Sequence, residues 1–306
     1  MRVFVTGSSG LIGSALVPSL ENAGYSVTRL VRRAPVVGES ERQWNPYAAP
    51  LDPALLDGAD AVVNLSGENI AGRWTAERRE RLWNSRVVLT RNLCEAIAAA
   101  PKRPEVFISA SGSAIYGEGE DRELTEDSPR GQGYMADIVA EWENATRPAA
   151  EAGVRVVNLR IGVVLTRAGG ALKAMLPAFR WGLGAALAPG MQYGGYISLE
   201  DLVGVIRHAI ATPELRGPVN VVTPQPATQR EFARTLGRLL HRPAFFTLPP
   251  FVLRVMFSPE MAQAAVWSQR MVPAKLLASG FRFRHDTVES ALRHALGLSA
   301  EGGSSS

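Results

Sequence analysis

Short apolar stretches alternate with amphipathic stretches through the first half of the chain. Five runs rich in valine, isoleucine and leucine are predicted to be β-strands: Arg2–Val5, Ser26–Val31, Ala61–Leu65, Val106–Ala110 and Arg155–Leu159. The stretches near residues 12–23, 76–99 and 133–152 repeat apolar positions at helical spacing. Apolar strands joined by helical crossovers form parallel sheets with both faces covered. The pattern therefore predicts an α/β protein with a doubly wound parallel sheet.

The pattern changes after residue 165. Residues 166–197 are rich in glycine, alanine and proline and contain one predicted helix near 171–182. A helix from Glu200 to Ala211 and a strand from Pro218 to Val222 follow, and from residue 226 the pattern is mostly helical. We expect this second half to contain a smaller subdomain packed over the sheet. Its last helix is predicted to open with a capping box, with Asp286 as N-cap and Glu289 reaching back.

A glycine turn follows the first strand. Gly7, Gly10 and Gly13 stand at three-residue spacing between that strand and the first predicted helix, with Leu11 and Ile12 between the last two. Gly7 permits a tight turn, Gly10 removes a side chain where the backbone meets a phosphate, and Gly13 lets the helix pack closely on the strand. The first N–H groups of the helix then face an anion. This arrangement predicts a dinucleotide site.

The end of the second strand indicates which dinucleotide binds. A site for NAD places a carboxylate here to accept from the ribose 2′-hydroxyl. This strand instead ends in Val31, Arg32 and Arg33, and a guanidinium can hold a 2′-phosphate through paired charged hydrogen bonds. We therefore predict NADP(H). The alternative is that the two arginines belong to a solvated loop.

The third strand ends in small and polar residues. Leu65, Ser66 and Gly67 follow Asn64 and suit a wall beside the adenosine and the diphosphate. Asn64 and Ser66 could equally serve only to cap the end of the strand.

Composition excludes several classes of protein. The net charge is +4 and the arginines are spread along the chain, so no nucleic acid partner is expected. No apolar run reaches the roughly 18 residues of a membrane span, and a strand begins at residue 2, so neither a membrane partner nor a signal peptide is expected. The single cysteine, Cys94, excludes an internal disulfide and fits a reducing compartment. We therefore expect a cytoplasmic protein.

The chain shows no spacing typical of metal ligands. Its four histidines, His208, His241, His285 and His294, are scattered, and no metal site is expected. The sequence also lacks the Gly-x-Ser-x-Gly pattern of a nucleophile elbow and the Gly-Lys-Ser/Thr of a phosphate-binding loop.

Several segments resemble one family. They are Thr6-Gly7-x-x-Gly10-x-x-Gly13, Val63-Asn-Leu-Ser-Gly-Glu68-Asn69-Ile70, Trp83-Asn-Ser85-Arg86, Ser109-Ala-Ser111 with Tyr116-Gly117, Arg160-Ile-Gly162, Gly170-Ala-Leu-Lys173 and Ser268-Gln-Arg-Met-Val-Pro273 with Gly280-Phe-Arg-Phe283. Together they are similar to the epimerase-like branch of the extended, atypical short-chain dehydrogenase/reductases, of the NAD-dependent epimerase/dehydratase type. The resemblance runs over nearly all of residues 1–297, and its last part is similar to a C-terminal module of unassigned function.

The resemblance implies a Rossmann fold, NADP(H) and a set of binding residues. Gly7, Gly10, Ile12 and Gly13 are expected at the diphosphate, with Leu11 beside them. Val31, Arg32 and Arg33 are expected at the adenosine phosphate, and Leu65, Ser66 and Gly67 beside the adenosine. Arg86 is expected to direct a basic group toward the cofactor, with a surface arginine as the alternative. Leu165 ends the strand that is expected to pass the nicotinamide.

The resemblance also implies a catalytic site, and here the chain departs from the pattern. The family uses a Ser, a Tyr and a Lys four residues after the Tyr. Ser111 fits the first position, with Ser113 as the alternative, and Tyr134 fits the second. Ile138 stands where the Lys belongs, so the Tyr134 phenol is expected to donate a proton but to be a poor base. Arg86 or Lys173 could supply a positive charge through space.

These inferences give an expected organisation and two possible functions. The expected parts are an NADP-binding Rossmann domain at residues 1–165 with 196–223 added to it, a mostly helical substrate or lid subdomain at 166–195 and 224–298, and a flexible tail at 299–306. The leading function is an NADP(H)-dependent oxidoreductase or epimerase-like enzyme for a small carbonyl or alcohol. Trp181, Tyr193, Tyr196, Phe251 and Trp267 offer an aromatic lid for it.

The alternative is a non-catalytic NADPH-binding regulatory protein, which the missing Lys favours.

A homodimer through the helices near residues 76–99 and 133–152 is expected from the resemblance.

Overall fold

A computed structural model of the chain describes residues 1–249, 251–252 and 258–298. Its strands are β1 Arg2–Thr6, β2 Ser26–Val31, β3 Glu41–Gln43, β4 Ala61–Asn64, β5 Val106–Gly112, β6 Glu123–Leu124, β7 Arg155–Ile161, β8 Val163–Leu165, β9 Ala185–Leu187, β10 Tyr193–Gly194, β11 Tyr196–Ser198, β12 Gly217–Val221, β13 Ala227–Thr228, β14 Phe246–Leu248 and β15 Arg270–Met271. Its α-helices are α1 Gly13–Asn22, α2 Ala76–Trp83, α3 Leu89–Ala99, α4 Tyr134–Asn144, α5 Arg147–Glu151, α6 Gly170–Arg180, α7 Leu199–Ala211, α8 Gln229–Leu239, α9 Pro259–Ala264, α10 Ala274–Ala278 and α11 Val288–Leu296.

Seven of these strands form one central parallel sheet in the order β12-β7-β5-β4-β1-β2-β3. The strand order reverses between β1 and β4, which pair in parallel with Thr6 opposite Asn64. In doubly wound sheets, ligands bind outside the carboxyl ends of the strands at such a reversal. The predicted Rossmann-like fold class is confirmed.

Helices cover both faces of the sheet. On one face α1 and α7 pack over a core that includes Leu16, Leu20 and Ile206, all fully buried. On the other face α3 packs over a core that includes Phe4 and Phe107, and α5 contributes Ala149. Burial on both faces explains why these strands read as continuous apolar runs rather than as alternating ones.

The two long predicted helices are each interrupted. The predicted helix at 76–99 consists of α2, a π-helical turn at Asn84–Val88, and α3. The predicted helix at 133–152 ends first at Asn144 and resumes as α5, in which Pro148 stands in the first turn. Proline has no N–H to donate and its ring clashes with the carbonyl four residues earlier, so α4 cannot run through it.

The second half of the chain contributes to two places. Its β12 is an edge strand of the central sheet and α7 packs on that sheet, whereas α6, α8 and α11 share a separate core with Leu172, Phe232 and Leu292. The predicted cap of the last helix is wrong by one residue. Thr287 is the N-cap and exchanges hydrogen bonds with Ser290, while Glu289 pairs with arginines instead.

The predicted tail, residues 299–306, lies outside the described residues. Within the described part of the chain, every helix is too short or too polar to cross a bilayer.

Candidate functional site

The glycine turn after β1 is too tightly packed for side chains. Gly7 has φ +67°, and a Cβ there would lie 2.6 Å from the carbonyl carbon of Leu65. A Cβ on Gly13 would lie 2.3 Å from the carbonyl oxygen of Gly7, and one on Gly10 would lie 3.2 Å from the same atom. Gly10 closes the turn through its N–H, which donates to that oxygen at 3.0 Å. Gly7 and Gly13 therefore let the strand, the turn and α1 come together.

The start of α1 offers unused donors. The backbone N–H groups of Leu11, Ile12 and Gly13 have no acceptor within the described residues. The Ile12 N-cap has no side-chain hydrogen bond, and the first turn of α1 contains no acidic residue. The side chain of Leu11 packs on the start of α6, since a Cβ on Gly169 would lie 2.9 Å from it. Free N–H groups at a helix start suit an anionic ligand.

A cavity of about 440 Å³ opens at the carboxyl ends of β1, β2 and β4. It is lined by the glycine turn, by the end of β2 and the following residues, and by the loop after β4: Thr6, Gly7, Ser8, Ser9, Gly10, Arg29, Leu30, Val31, Arg32, Arg33, Glu41, Trp44, Pro46, Tyr47, Leu65, Ser66, Gly67, Glu68, Ser85 and Leu89. Three separate predicted segments thus meet around one space.

The two arginines at the end of β2 have different partners. Arg33 forms a two-point ion pair with Glu41, with both N···O distances 2.7 Å. The hydrogen bond from Arg33 lowers the pKa of Glu41 to about 2, so this carboxylate is ionised at neutral pH. Arg32 is exposed, and in the described part of the chain its guanidinium has no partner. Arg32 is therefore the guanidinium at this rim that is available to a ligand.

Sequence reasoning missed Glu41. It stands on β3, which pairs with β2 so that Glu41 lies opposite Arg29. Only this pairing brings the carboxylate to the end of β2, because the chain separates Glu41 from Arg33 by eight positions. The signal in the sequence is the short Glu39-x-Glu41 run, which had no predicted strand around it.

The loop after β4 is held by buried hydrogen bonds. Asn64 accepts from the Thr6 hydroxyl at 2.7 Å and from the N–H of Ser66 at 3.3 Å, and its amide donates to Thr90 at 3.0 Å. Asn64 is fully buried, so it fixes the loop rather than meeting a ligand. Leu65, Ser66 and Gly67 line the cavity instead.

Arg86 lies beneath the same loop. It stands on the π-helical turn, donates to the Glu68 carbonyl at 2.9 Å, and stacks over Trp142 at 5.2 Å. Burial lowers the pKa of Arg86 to about 10. The neighbouring Ser85 hydroxyl accepts from the N–H of Glu68 at 3.0 Å. π-Helical turns are often found at functional sites; this one fastens the loop that forms a wall of the cavity.

Leu165 is fully buried at the end of β8, within the core shared by α6, α8 and α11. Its side chain faces that core, so a contact with a ligand would have to come from its backbone.

The two candidate serines have different surroundings. The Ser111 hydroxyl donates to Glu143 at 2.7 Å, and Glu143 forms a two-point ion pair with Arg160 at 2.9 Å. Arg160 also donates to the Tyr116 hydroxyl at 2.9 Å. The hydroxyl of Ser113 is half-buried and, among the described residues, makes no hydrogen bond. Ser111 is therefore occupied by a buried network, whereas Ser113 is not.

Opposing effects act on the pKa values in this network. Burial lowers the pKa of Arg160, but the hydrogen bonds and charge of Glu143 more than offset it, so the pKa is raised. Burial raises the pKa of Tyr116 to about 12. The network thus holds one ion pair and one neutral phenol at neutral pH. In the sequence, Arg160 and Tyr116 were noted only as members of family motifs. Nothing there indicated that their side chains form a hydrogen bond.

Tyr134 begins α4 and is partly exposed. Its ring packs edge-on against Trp74 at 5.8 Å and lies under the Arg79 guanidinium at 5.7 Å. The cation near this ring is thus Arg79, whereas Arg86 stacks on Trp142 and Lys173 donates to a backbone carbonyl of its own loop. Ile138, at the position expected for Lys, is 4% exposed and belongs to the core.

The predicted aromatic lid is not one surface. Tyr196 and Trp267 are buried in two different cores, while Trp181 and Phe251 are exposed. Tyr193 lies under the Arg270 guanidinium at 5.5 Å.

The sheet, its reversal point and the glycine turn define a nucleotide-binding protein of the Rossmann class. Comparison with known proteins identifies the family. The model of the NAD dependent epimerase/dehydratase family matches residues 3–216, and a domain of unknown function, DUF1731, matches residues 248–295. The chain belongs to the NAD-dependent epimerase/dehydratase family.

Relatives match along almost the whole chain. "Epimerase family protein Mb2239" of Mycobacterium bovis is 44% identical over 294 residues, which are 96% of this chain and 97% of that protein. "Epimerase family protein SDR39U1" of Homo sapiens is 37% identical over 297 residues, covering 96% and 99%.

Two solved structures are similar in fold and sequence. The crystal structure of human epimerase family protein SDR39U1 with NADPH superposes with a TM-score of 0.89 at 36% identity, covering 97% of this chain and 100% of that one. A nucleoside-diphosphate sugar epimerase from Corynebacterium glutamicum superposes with a TM-score of 0.79 at 32% identity, covering 97% of this chain and 58% of that one. The predicted cofactor, NADP(H), is the one with which the human relative was crystallised.

Proposed function

We propose that the chain binds NADPH in the cavity at the carboxyl ends of β1, β2 and β4 and acts as an oxidoreductase or epimerase-like enzyme on a small carbonyl or alcohol. The observation that carries the proposal is the cavity itself. It combines a glycine turn that excludes side chains with an uncommitted guanidinium, Arg32, at its rim. The NADPH in the structure of the human relative supports the same choice.

Each part of the cavity fits one part of NADPH. The N–H groups of Leu11, Ile12 and Gly13 directly follow Gly10, which lines the cavity, and have the donor chemistry that the diphosphate requires. Arg32 supplies a charged fork for the 2′-phosphate. Leu65 and Ser66 would flank the adenosine. Glu41 does not oppose the 2′-phosphate as a free charge, because Arg33 neutralises it.

Three predicted positions play other parts in this proposal. Arg86 positions the Gly67–Glu68 loop from beneath. Arg33 acts through Glu41. Leu165 would meet the nicotinamide through its backbone.

We assign the proton transfer to Tyr134. When bound, NADPH supplies a hydride to the substrate carbonyl carbon; the protein must then place a proton on the carbonyl oxygen. The Tyr134 hydroxyl is free of hydrogen bonds in the described part of the chain and stands at the start of α4. Of the two candidate serines, Ser113 is better suited to hydrogen-bond the substrate oxygen, because the Ser111 proton is already donated to Glu143.

The missing Lys favours a second function, in which the chain binds NADPH and regulates a partner without catalysis. Ile138 is buried in the core around α4, so the usual ammonium has no counterpart at that place. The enzymatic proposal rests on the Tyr134 hydroxyl as proton donor; the guanidinium nearest its ring, that of Arg79, is itself paired with Glu260.

A binding experiment tests the cofactor assignment. Fluorescence titration should show tighter binding of NADPH than of NADH. Arg32→Ala should weaken NADPH binding by about tenfold or more, since a hydrogen bond to a charged group contributes about 1.5–3 kcal/mol, and should leave NADH binding unchanged. Arg147→Ala, which removes an exposed arginine of α5, is the matched control. Tighter binding of NADH than of NADPH to the unaltered chain would overturn the assignment.

A turnover experiment separates the two functions. NADPH oxidation is followed over a panel of aldehydes, ketones and quinones. Tyr134→Phe and Ser113→Ala should each lower turnover without weakening NADPH binding. The control Tyr25→Phe should leave turnover unchanged, because Tyr25 directly precedes β2, at the end of the strand away from the cavity. Tight NADPH binding with no oxidation across the panel favours the regulatory function. Unchanged turnover in both site variants contradicts our catalytic assignment.

A further inference from the structure

Glu200, His285 and His294 come together at the junction between α7 and α11. The Nε2 atom of His285 lies 2.9 Å from Oε2 of Glu200, and the Nε2 atom of His294 lies 3.5 Å from the same oxygen. The two imidazole rings stack with centroids 4.4 Å apart. All three candidate ligand atoms lie within 4.8 Å of one another. None of these residues lines the nucleotide cavity.

We propose that Glu200, His285 and His294 form a binding site for a divalent transition metal, with Zn²⁺ as the best-suited ion. Imidazole nitrogens and a carboxylate oxygen are ligands that Zn²⁺ accepts at about 2.0–2.2 Å. A tetrahedral ion with such bonds keeps its ligands about 3.4 Å apart. The 3.5 Å between His294 and Glu200 is near this value, whereas the 2.9 Å between His285 and Glu200 is shorter. Coordination therefore requires the His285 and Glu200 side chains to move apart and the two stacked rings to turn until both nitrogens face one ion.

The surroundings hold the ligands in place. Asp201 is 2% exposed, and its carboxylate accepts from the backbone N–H groups of Arg284 at 2.8 Å and His285 at 3.0 Å. This fixes the segment that carries His285. Arg284 pairs with Oε1 of Glu200, which orients the carboxylate and leaves Oε2 turned toward both histidines. Such support of a ligand by a neighbouring charge is common around metal sites.

The site also has room for the remaining ligands. The His294 side chain is 46% exposed, whereas that of His285 is 15% exposed. Water can therefore complete the coordination from the His294 side.

The ion would join two parts of the chain. Glu200 lies within residues 3–216, which match the epimerase family model, and both histidines lie within residues 248–295, which match the domain of unknown function. A metal bound here fastens that C-terminal module to α7. Because the folded chain alone gathers the three ligands, binding should raise the melting temperature.

The test uses the tag-free full chain stripped of metal with a chelator. Calorimetry should show one Zn²⁺ bound per chain, and saturating Zn²⁺ should raise the melting temperature of the protein. Bound Co²⁺ should show the visible absorption bands of an ion in a low-symmetry site. His294→Gln and His285→Gln should each weaken Zn²⁺ binding by about tenfold or more. His241→Asn is the control: His241 is exposed with φ +54°, a conformation that asparagine tolerates.

Circular dichroism of the metal-free variants tests whether they are folded. His294→Gln is the less disruptive of the two changes, since His294 is the more exposed. Zn²⁺ affinity that is equal in the unaltered chain and in folded His294→Gln would overturn the proposal. So would the absence of any Zn²⁺-dependent rise in the melting temperature of the unaltered chain.

Discussion

Replacing Glu143 with glutamine tests the buried network that joins Glu143 to Ser111 and Arg160. The change keeps the size of the side chain but removes the charge that balances Arg160. The side chains of the pair are only 10% and 15% exposed, so Arg160 would be left as an unpaired charge out of water. Removing one partner of a buried pair destabilises by about 3–5 kcal/mol. Because glutamine retains a hydrogen-bond acceptor for Ser111, we expect the lower end, about 3 kcal/mol.

The assay is thermal and urea unfolding of Glu143→Gln beside a matched variant. With an unfolding entropy of about 2.1 cal/mol/K per residue, a loss of about 3 kcal/mol lowers the melting temperature of this 306-residue chain by roughly 5 °C. Glu151→Gln breaks the pair of Glu151 with Arg147, whose side chains are 65% and 72% exposed. An exposed pair at this spacing contributes only about 0.3–0.5 kcal/mol. Equal melting temperatures for the two variants would refute the reasoning.

Two more variants test which of the two serines has a structural role and which a catalytic one. Ser111→Ala removes a hydrogen bond to a charged carboxylate and should destabilise by about 1.5–3 kcal/mol, with turnover per folded molecule unchanged. Ser113→Ala should do the reverse, lowering turnover with little change in stability. If Ser111→Ala abolishes turnover while its melting temperature is unchanged, Ser111 is the catalytic serine, and its assignment to a structural role in the Glu143 network is wrong.

The remaining predictions concern the turn, pH and the last helix. Gly13→Ala should abolish NADPH binding or prevent folding, because its Cβ would lie 2.3 Å from a carbonyl oxygen, whereas Gly10→Ala, at 3.2 Å, should fold; titration and circular dichroism compare them. Burial lowers the pKa of His208. Below about pH 6.5 the unfolded state therefore binds a proton at this histidine more readily than the native state does. The free energy of unfolding should therefore decrease as pH falls below that value. Urea unfolding of His208→Gln should show a smaller decrease over the same pH range, and an equal decrease would contradict this role of His208. Thr287→Ala should lower the unfolding free energy by about 1 kcal/mol through loss of the N-cap, and no loss would contradict that capping role.

Local patterns predicted the strands and the glycine turn well. Apolar runs placed β2 at its observed bounds and placed the other predicted strands within two residues at each end. Gly7 and Gly13 were recognised because their role depends on neighbours within one βα unit. Periodicity could not show the π-helical turn at Asn84–Val88, because the apolar spacing continues through it with only a small change of phase.

The sites depend on contacts that no local pattern records. Glu41 reaches Arg33 only because β3 pairs with β2, and Ser111 is occupied only because α4 brings Glu143 over the sheet. The histidine spacing indicated no metal, yet His285 and His294 meet Glu200 in the fold.

The sequence by itself determined the class of fold and the position of the glycine turn, and it predicted NADP(H), since these follow from hydrophobic period and from residues adjacent in the chain. Only the tertiary structure decided which arginine, which serine and which histidines are available to a ligand. A side chain's availability depends on the partner that packing places within about 3 Å of it. That partner comes from a separate strand or helix, whose register and orientation are set by the whole core.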